Sequence, residues 1–265
     1  MSDTPVILVT GASSGIGAAT ARRFARAGYR VVLAARRLEL LQALAEELRL
    51  SGGQALPVAT DMSKLEQIQE LVRTSLAEYG RIDILFNNAG TGCLDWLEEL
   101  EPEHGVQELI QVNLTGLVWM AQAVLPAMLK QRSGHIIIMS SVAGLVATPT
   151  YTVYAATKFG ARGFSEALRR EVRLFGIHVS GMYPGVVATE FAGHKGFYSK
   201  TGIKSPGWLT LSAEQVAEGV WQLSQRPRRM LVIPWFYRPV YWFNTLFPAA
   251  VDWIVETFFV RPERR

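Results

Sequence analysis

An α/β fold, a doubly wound parallel sheet of about seven strands with helices on both faces, is what three observations on this chain predict. Short apolar runs alternate with longer amphipathic segments, the pattern of crossover units between parallel strands. The first apolar run enters a helix-like segment through a glycine-rich turn. A hydrophobic fraction of 49% over 265 residues, with no linker, repeat or low-complexity stretch, fits one sizeable core.

Taken in order, Pro5 to Thr10 reads as a buried strand, and Gly11-Ala12-Ser13-Ser14-Gly15-Ile16-Gly17 turns it into a helix over 15–27. A strand at 30–35 and a helix at 38–50 follow, then a strand at 54–59 and a helix at 63–79. The strand at 82–86 runs into Asn87-Asn88-Ala89-Gly90, ahead of a long helix at 106–131. Strands at 134–140 and 177–183 flank a helix at 152–175, and a helix at 212–225 leads to a last strand at 229–233. Ligands of such sheets bind beyond the carboxyl ends of the strands. Thr10, Arg36, Asp61, Ala89, Ser141 and Pro184 all fall at or just after those ends, so they converge on one crevice.

Two patterns in that crevice carry chemistry. Tyr154 and Lys158 stand at i and i+4 of a helix and project from one face. A cation held near a phenol lowers its pKa, and such a phenol can trade a proton with an alcohol or ketone oxygen. On spacing alone, an ordinary pair on a half-exposed helix fits equally well. A glycine turn between strand and helix lets backbone N–H groups approach a pyrophosphate, although glycines at 11, 15 and 17 do not follow the G-x-G-x-x-G spacing.

Together the residues resemble the short-chain dehydrogenase/reductase family. The motifs stand in order as Thr10 to Gly17, Asn87-Asn88-Ala89-Gly90, Asn113, Ser141, Tyr154 with Lys158, and Pro184-Gly185. The resemblance covers residues 5 to about 233 and implies a single Rossmann-type domain over 1–234. It implies hydride transfer between a nicotinamide and a carbonyl or secondary alcohol. Tyr154 would be the acid in reduction and the base in oxidation, Lys158 would lower its pKa and hold the nicotinamide ribose, and Ser141 would stabilise the substrate oxygen. Ser140 competes for that last role. Asn113 would hold a water linking Lys158 to solvent. A non-catalytic NADP-binding sensor of the same fold is the alternative; an epimerase or dehydratase is disfavoured because no large C-terminal substrate domain is present.

The same resemblance implies the cofactor contacts. Gly11, Ser13, Ser14, Gly15, Ile16 and Gly17 would cradle the pyrophosphate, the Asn88-Ala89 backbone would line the adenosine ribose, and Gly90 would be a further cofactor contact. Asp61, with Met62 beside it, would meet the adenine edge, or Asp61 would cap the helix opening near Ser63. Pro184, Gly185, Val187 and Thr189 would lie over the nicotinamide. Ala35 stands where NAD-preferring members carry Asp, and Arg36 and Arg37 follow, which favours NADP(H) over NAD(H). Two cations at a helix N-terminus are unfavourable unless an anion sits there. Ser13 and Ser14 stand where many NADP-dependent relatives have a base, so Arg36 would hold the phosphate with hydroxyl help only.

Glu190 to Leu211 is expected to form the substrate lid, with Phe191, Phe197, Tyr198 and Trp208 either shaping a pocket for an apolar carbonyl or packing the lid itself. The single Cys93 excludes an internal disulfide and fits a reducing, cytoplasmic setting. The scattered His104, His135, His178 and His194 show no metal-ligand spacing, so no metal is expected. The run from Val6 is needed as a strand, so no cleaved leader is expected.

Residues 226–265 hold seven Arg and three acids, 7 − 3 = +4, which is the net charge of the whole chain. Ten of the 27 aromatics lie there. Asn244, Pro248, Asp252 and Glu256 rule out a spanning helix, and Val251, Ile254, Val255, Phe258 and Phe259 are expected to form one apolar face. The extension 235–265 therefore packs on the domain or on a second copy in a homo-oligomer, with peripheral membrane contact as the other reading. The modest, interleaved charge does not suit nucleic acid.

Overall fold

Successive residues of an extended strand point to opposite faces, and the first strand buries both sets. In β1 (Val6–Thr10), Val6 and Leu8 join one apolar cluster, while Ile7 and Val9 join another on the far side of the sheet. A strand buried on both faces requires helices on both. The structure, a computed structural model, describes residues 4–193 and 207–264.

The remaining strands are β2 (Arg30–Ala35), β3 (Gln54–Ala59), β4 (Ile84–Asn87), β5 (Gly134–Met139), β6 (Ile177–Pro184) and β7 (Met230–Ile233). All pair in parallel in the order β3-β2-β1-β4-β5-β6-β7. The order reverses between β1 and β4, which opens a crevice at the carboxyl edge. On one face lie α1 (Gly15–Arg26), α2 (Leu38–Leu50) and, later in the chain, a helix at Ala213–Gln225; Phe24, Leu41, Leu44, Val216 and Val220 are buried there. On the other lie α3 (Leu65–Tyr79), α4 (Pro102–Gln131) and α5 (Thr152–Val172), through Ile68, Leu71, Met120, Val124, Ala161 and Leu168. The Ala213–Gln225 helix is α6, and it opens with a reciprocal cap in which Ser212 and Gln215 bond each other's backbone.

Several boundaries differ from expectation; α5 ends at Val172 rather than 175, and three starts shift as well. α3 begins at Leu65 rather than 63, because the Asp61 carboxylate accepts from the Ser63 N–H at 2.9 Å and holds a turn there. β4 begins at Ile84, and Asp83 just ahead of it accepts from Val6 N–H at 2.7 Å through its carboxylate. α4 starts at Pro102, suited to a first helical turn, and contains two wide i→i+5 turns, at Pro102–Gln107 and Gln111–Gly116. α4 is long and apolar enough to cross a membrane by length and composition, yet Met120, Val124 and Met128 seal it against the sheet.

After β7 the chain forms α7 (Tyr237–Leu246) and α8 (Pro248–Val255), then another wide turn over Glu256–Val260 and a last turn at Arg261–Glu263. The apolar face expected at 251–259 is split. Val251, Val255 and Phe259 are half-buried, whereas Ile254, ahead of the wide turn, and Phe258, within it, are exposed. Phe197 and Tyr198 of the expected lid lie outside the described residues. Its two ends meet: Ala188 donates to Leu211 O and Leu211 to Val186 O, both at 2.9 Å.

Candidate active site

A cleft of about 1070 Å³ opens at the carboxyl edge of the sheet. Its phosphate-sized end is built by the turn after β1. Gly11 and Gly15 have φ of +66° and +51°, which L side chains rarely adopt. A Cβ on Gly11 would also come within 2.9 Å of the Asn88 amide. The N-terminus of α1 carries no side-chain cap and no acid in its first turn, so its N–H groups face the cleft unspent. These features fit an anion such as a pyrophosphate.

Ser13, Ser14 and Ile16 line the same end, but Gly17 does not. A Cβ there would lie 2.1 Å from Gly11 O, so Gly17 lets α1 close onto the turn and is a packing position, not a contact of the cleft. Thr10, to which no role was assigned from sequence, joins the two halves of the crevice. Its buried Oγ1 accepts from the N–H groups of Asn88 at 2.9 Å and Ala89 at 3.0 Å. Asn88 in turn donates to Thr10 O at 2.9 Å.

Arg36, Arg37, Asp61 and Met62 stand together on the wall beyond β2 and β3. Arg37 donates to Ser13 Oγ at 3.1 Å and Ser14 Oγ at 3.0 Å, and pairs with Glu190 at 3.0 Å. Arg36 lies 3.8 Å from Glu108. Both arginines therefore already hold a carboxylate, and it is Arg37 that touches the glycine turn. Asp61 is not the cap of α3: Lys64 occupies that position, and the Asp61 side chain serves the turn at Ser63.

The opposite end gathers Ser141, Tyr154 and Lys158 around the floor. Ser141 follows β5, and its Oγ accepts from Ala143 N–H at 3.1 Å, which fixes the hydroxyl. Tyr154 hydrogen-bonds with Ser141. Ser140 donates to Lys158 O at 3.0 Å and is tied into the packing of α5, so geometry separates the two serines where spacing did not. Lys158 is buried, lies 5.5 Å from the Tyr154 ring centre, and donates to Met139 O at 3.3 Å.

The expectation that Lys158 makes Tyr154 acidic is not met. Burial pushes the phenol above its ordinary range, and the Ser141 hydrogen bond offsets this only in part. Burial likewise pushes the Lys158 ammonium down to about 8. An ammonium aimed at a main-chain carbonyl and set over the ring does little for the phenol oxygen. At neutral pH the site holds a protonated phenol beside a protonated amine.

Asn113 is fully buried in the second wide turn of α4 and does not reach the cleft wall. Its amide accepts from Thr91 N–H and donates to Thr91 O, each at 2.8 Å, so it is committed to the loop after β4. That loop carries Ala89 and Gly90 along the cleft, and a Cβ on Gly90 would sit 3.1 Å from Asn113 Oδ1 and 3.7 Å from Lys158 Nζ. Asn113 thus holds, through its side-chain amide, the loop that runs beside the Lys158 ammonium.

Pro184, Gly185, Val187 and Thr189 line the roof, with Thr189 over Gly15. Sequence reasoning missed Glu108, Tyr151 and Tyr237 as wall residues. Tyr151, one turn ahead of Tyr154, was signalled by spacing alone; its ring meets that of Tyr154 at 6.2 Å. Phe191, expected in the lid, meets Tyr154 from the other side at 6.1 Å. Tyr237 comes from α7, and Gly185 has room for it only because it lacks a Cβ, which would approach the ring to 2.7 Å.

The model of the short chain dehydrogenase family matches residues 5–196. An uncharacterized oxidoreductase of Listeria innocua is 42% identical over 187 residues, 70% of this chain and 75% of that one. Among solved structures, an alcohol dehydrogenase of the archaeon Thermococcus sibiricus complexed with 5-hydroxy-NADP superposes with a TM-score of 0.78 at 30% identity, covering 87% of this chain and 96% of the other. A short chain dehydrogenase/reductase of Burkholderia phymatum in complex with NAD gives 0.82 at 26% identity, covering 94% and 95%. Matched over most of its length in sequence and in fold, the chain belongs to the short-chain dehydrogenase family of oxidoreductases.

Proposed function

We propose that the protein is an NADP(H)-dependent carbonyl reductase, reversible as an alcohol dehydrogenase, that acts on an apolar carbonyl or secondary alcohol. The observation that carries this reading is the buried Tyr154 phenol, gathered with Ser141 and Lys158 at the floor of a cleft whose far end suits a pyrophosphate. The nicotinamide, when bound, supplies or accepts the hydride. Gly11, Ser13, Ser14, Gly15 and Ile16 would hold its pyrophosphate, and Asn88, Ala89, Gly90, Pro184, Gly185, Val187 and Thr189 its two riboses and ring. Asp61 and Met62 would flank the adenine. Arg36 and Arg37 would exchange Glu108 and Glu190 for a 2′-phosphate, which supports NADP(H) over NAD(H).

Ser141 steadies the substrate oxygen, and Tyr154 gives that oxygen its proton in reduction. A phenol that burial keeps protonated is ready for that direction without a prior proton loss. Lys158 keeps positive charge beneath the pair, and Asn113 positions Gly90 and Thr91 beside it. Tyr151 and Phe191 bracket the Tyr154 ring and make the substrate end apolar and aromatic.

NADPH oxidation over a panel of apolar aldehydes and ketones tests the reading. Tyr154→Phe should lower kcat by about a thousandfold with NADPH affinity retained. Arg36→Ala with Arg37→Ala should raise the NADPH KM by at least about tenfold and leave that for NADH within about twofold. Cofactor binding by the unsubstituted protein without turnover on any member of the panel would favour the sensor instead.

A further inference from the structure

α7, α8 and the turns after them contain no buried residue, although this part of the chain is dense in aromatic side chains. It meets the domain at few points. Tyr237 and Tyr241 pack beside Tyr183 and Val232, Arg162 donates to Tyr241 Oη at 2.9 Å, and Arg264 lies over the Trp96 ring at 3.9 Å. The opposite side is bare. Trp242, Phe243 and Leu246 stand at i, i+1 and i+4 of α7, Phe247 follows at its end, and all four are between 45 and 65% exposed, while Trp235 and Trp253 are more than 60% exposed. Water-facing aromatics on this scale mark a surface that is covered by something else.

We infer that this face docks the protein on a membrane surface that carries anionic lipid, lying in the headgroup layer rather than crossing it. Tryptophan and phenylalanine on one side of short helices, with arginine around them, are the side chains that settle at that depth. Arg238 of α7, and Arg226 and Arg228 just ahead of β7, are exposed and make no ion pair among the described residues, within a segment that carries seven arginines against three acids. That charge is complementary to anionic headgroups, whereas a second copy using the same face about a two-fold axis would set it against itself. The ten and eight residues of α7 and α8 are too short to span a bilayer.

The same helix reaches the cleft. Tyr237 and Val240 of α7 wall an apolar cavity of about 150 Å³ with Val142, Leu145 and Val146, and Tyr237 also borders the main cleft. Docking therefore brings an apolar approach to Tyr154 close to the lipid, a consequence that rests on the proposed apolar substrate; the docking itself does not.

The test uses the full chain with sucrose-loaded vesicles of phosphatidylcholine alone or mixed with phosphatidylglycerol. The protein should sediment with the mixed vesicles and only weakly with the neutral ones, and added salt should reduce binding. The double variant Trp242→Glu with Phe247→Glu should lose at least about tenfold in partition while it keeps its melting temperature and its NADPH binding, since both side chains are exposed. The inference is overturned by equal failure to sediment with either vesicle, or by sedimentation that the double variant leaves unchanged. A dimer in solution that this variant splits, with vesicles ignored, would assign the face to a second copy. Loss of turnover with docking intact would count against the proposed reaction alone.

Discussion

Phe24, Phe86 and Tyr183 are sealed between the sheet and its helices, whereas Trp235, Trp242, Phe247 and Trp253 stand in water on the C-terminal helices. The domain and its extension draw on the same residue types, and burial rather than composition separates what they do. In the domain an aromatic ring removes apolar area from water and fixes the strands that carry Ser141 to the cleft and Thr10 to the loop beside it. In the extension the same area is left available, so it contributes little to folding and is free to act on a surface outside the molecule.

Substitutions can break or sharpen that contrast. Phe86→Ala, at a fully buried position between β1 and β5, should cost about 4 kcal/mol in urea unfolding. A loss below about 1 kcal/mol would mean that the domain core is looser than its packing indicates. The buried charge of the domain gives the next effect. Lys158 titrates near 8 when folded and near its ordinary 10.5 when unfolded, so the unfolded chain binds more protons between those values. Stability should therefore rise with pH from about 8 to about 10, by something on the order of 3 kcal/mol, and Lys158→Met should flatten that rise. Trp253→Ala should change stability by about 0.5 kcal/mol or less. A loss as large as that at Phe86 would show that the extension is part of the folding unit.

The sheet and its helices were legible because both-face burial leaves continuous apolar runs such as Val6–Val9 and Ile136–Met139, punctuated by turns. The floor of the cleft was legible as residue types, since Ser141, Tyr154 and Lys158 all reach it. What the residues do there depended on contacts across the chain. Helical spacing puts Lys158 on the face of Tyr154, but it does not say that Met139 O takes the ammonium or that burial outweighs its charge. Spacing could not choose between Ser140 and Ser141; a bond from Ser140 to Lys158 O does. Gly17 shares a motif with Gly11 and Gly15, yet its Cβ-free side faces the turn itself, a distinction only packing makes. The wide turns of α4 and of the C-terminus have no signature in apolar periodicity, so spacing does not show which way the residues within them, Asn113 and Phe258 among them, face.

One hydroxyl spans the switch point of the sheet. Because Thr10 accepts from both Asn88 and Ala89, and Asn88 donates back to Thr10 O, the loop that would grip phosphate and the loop beside the ammonium are fastened together at one residue. Prying that fastening open would disturb nucleotide grip and proton supply in the same stroke, so the two halves of the crevice behave as one jaw.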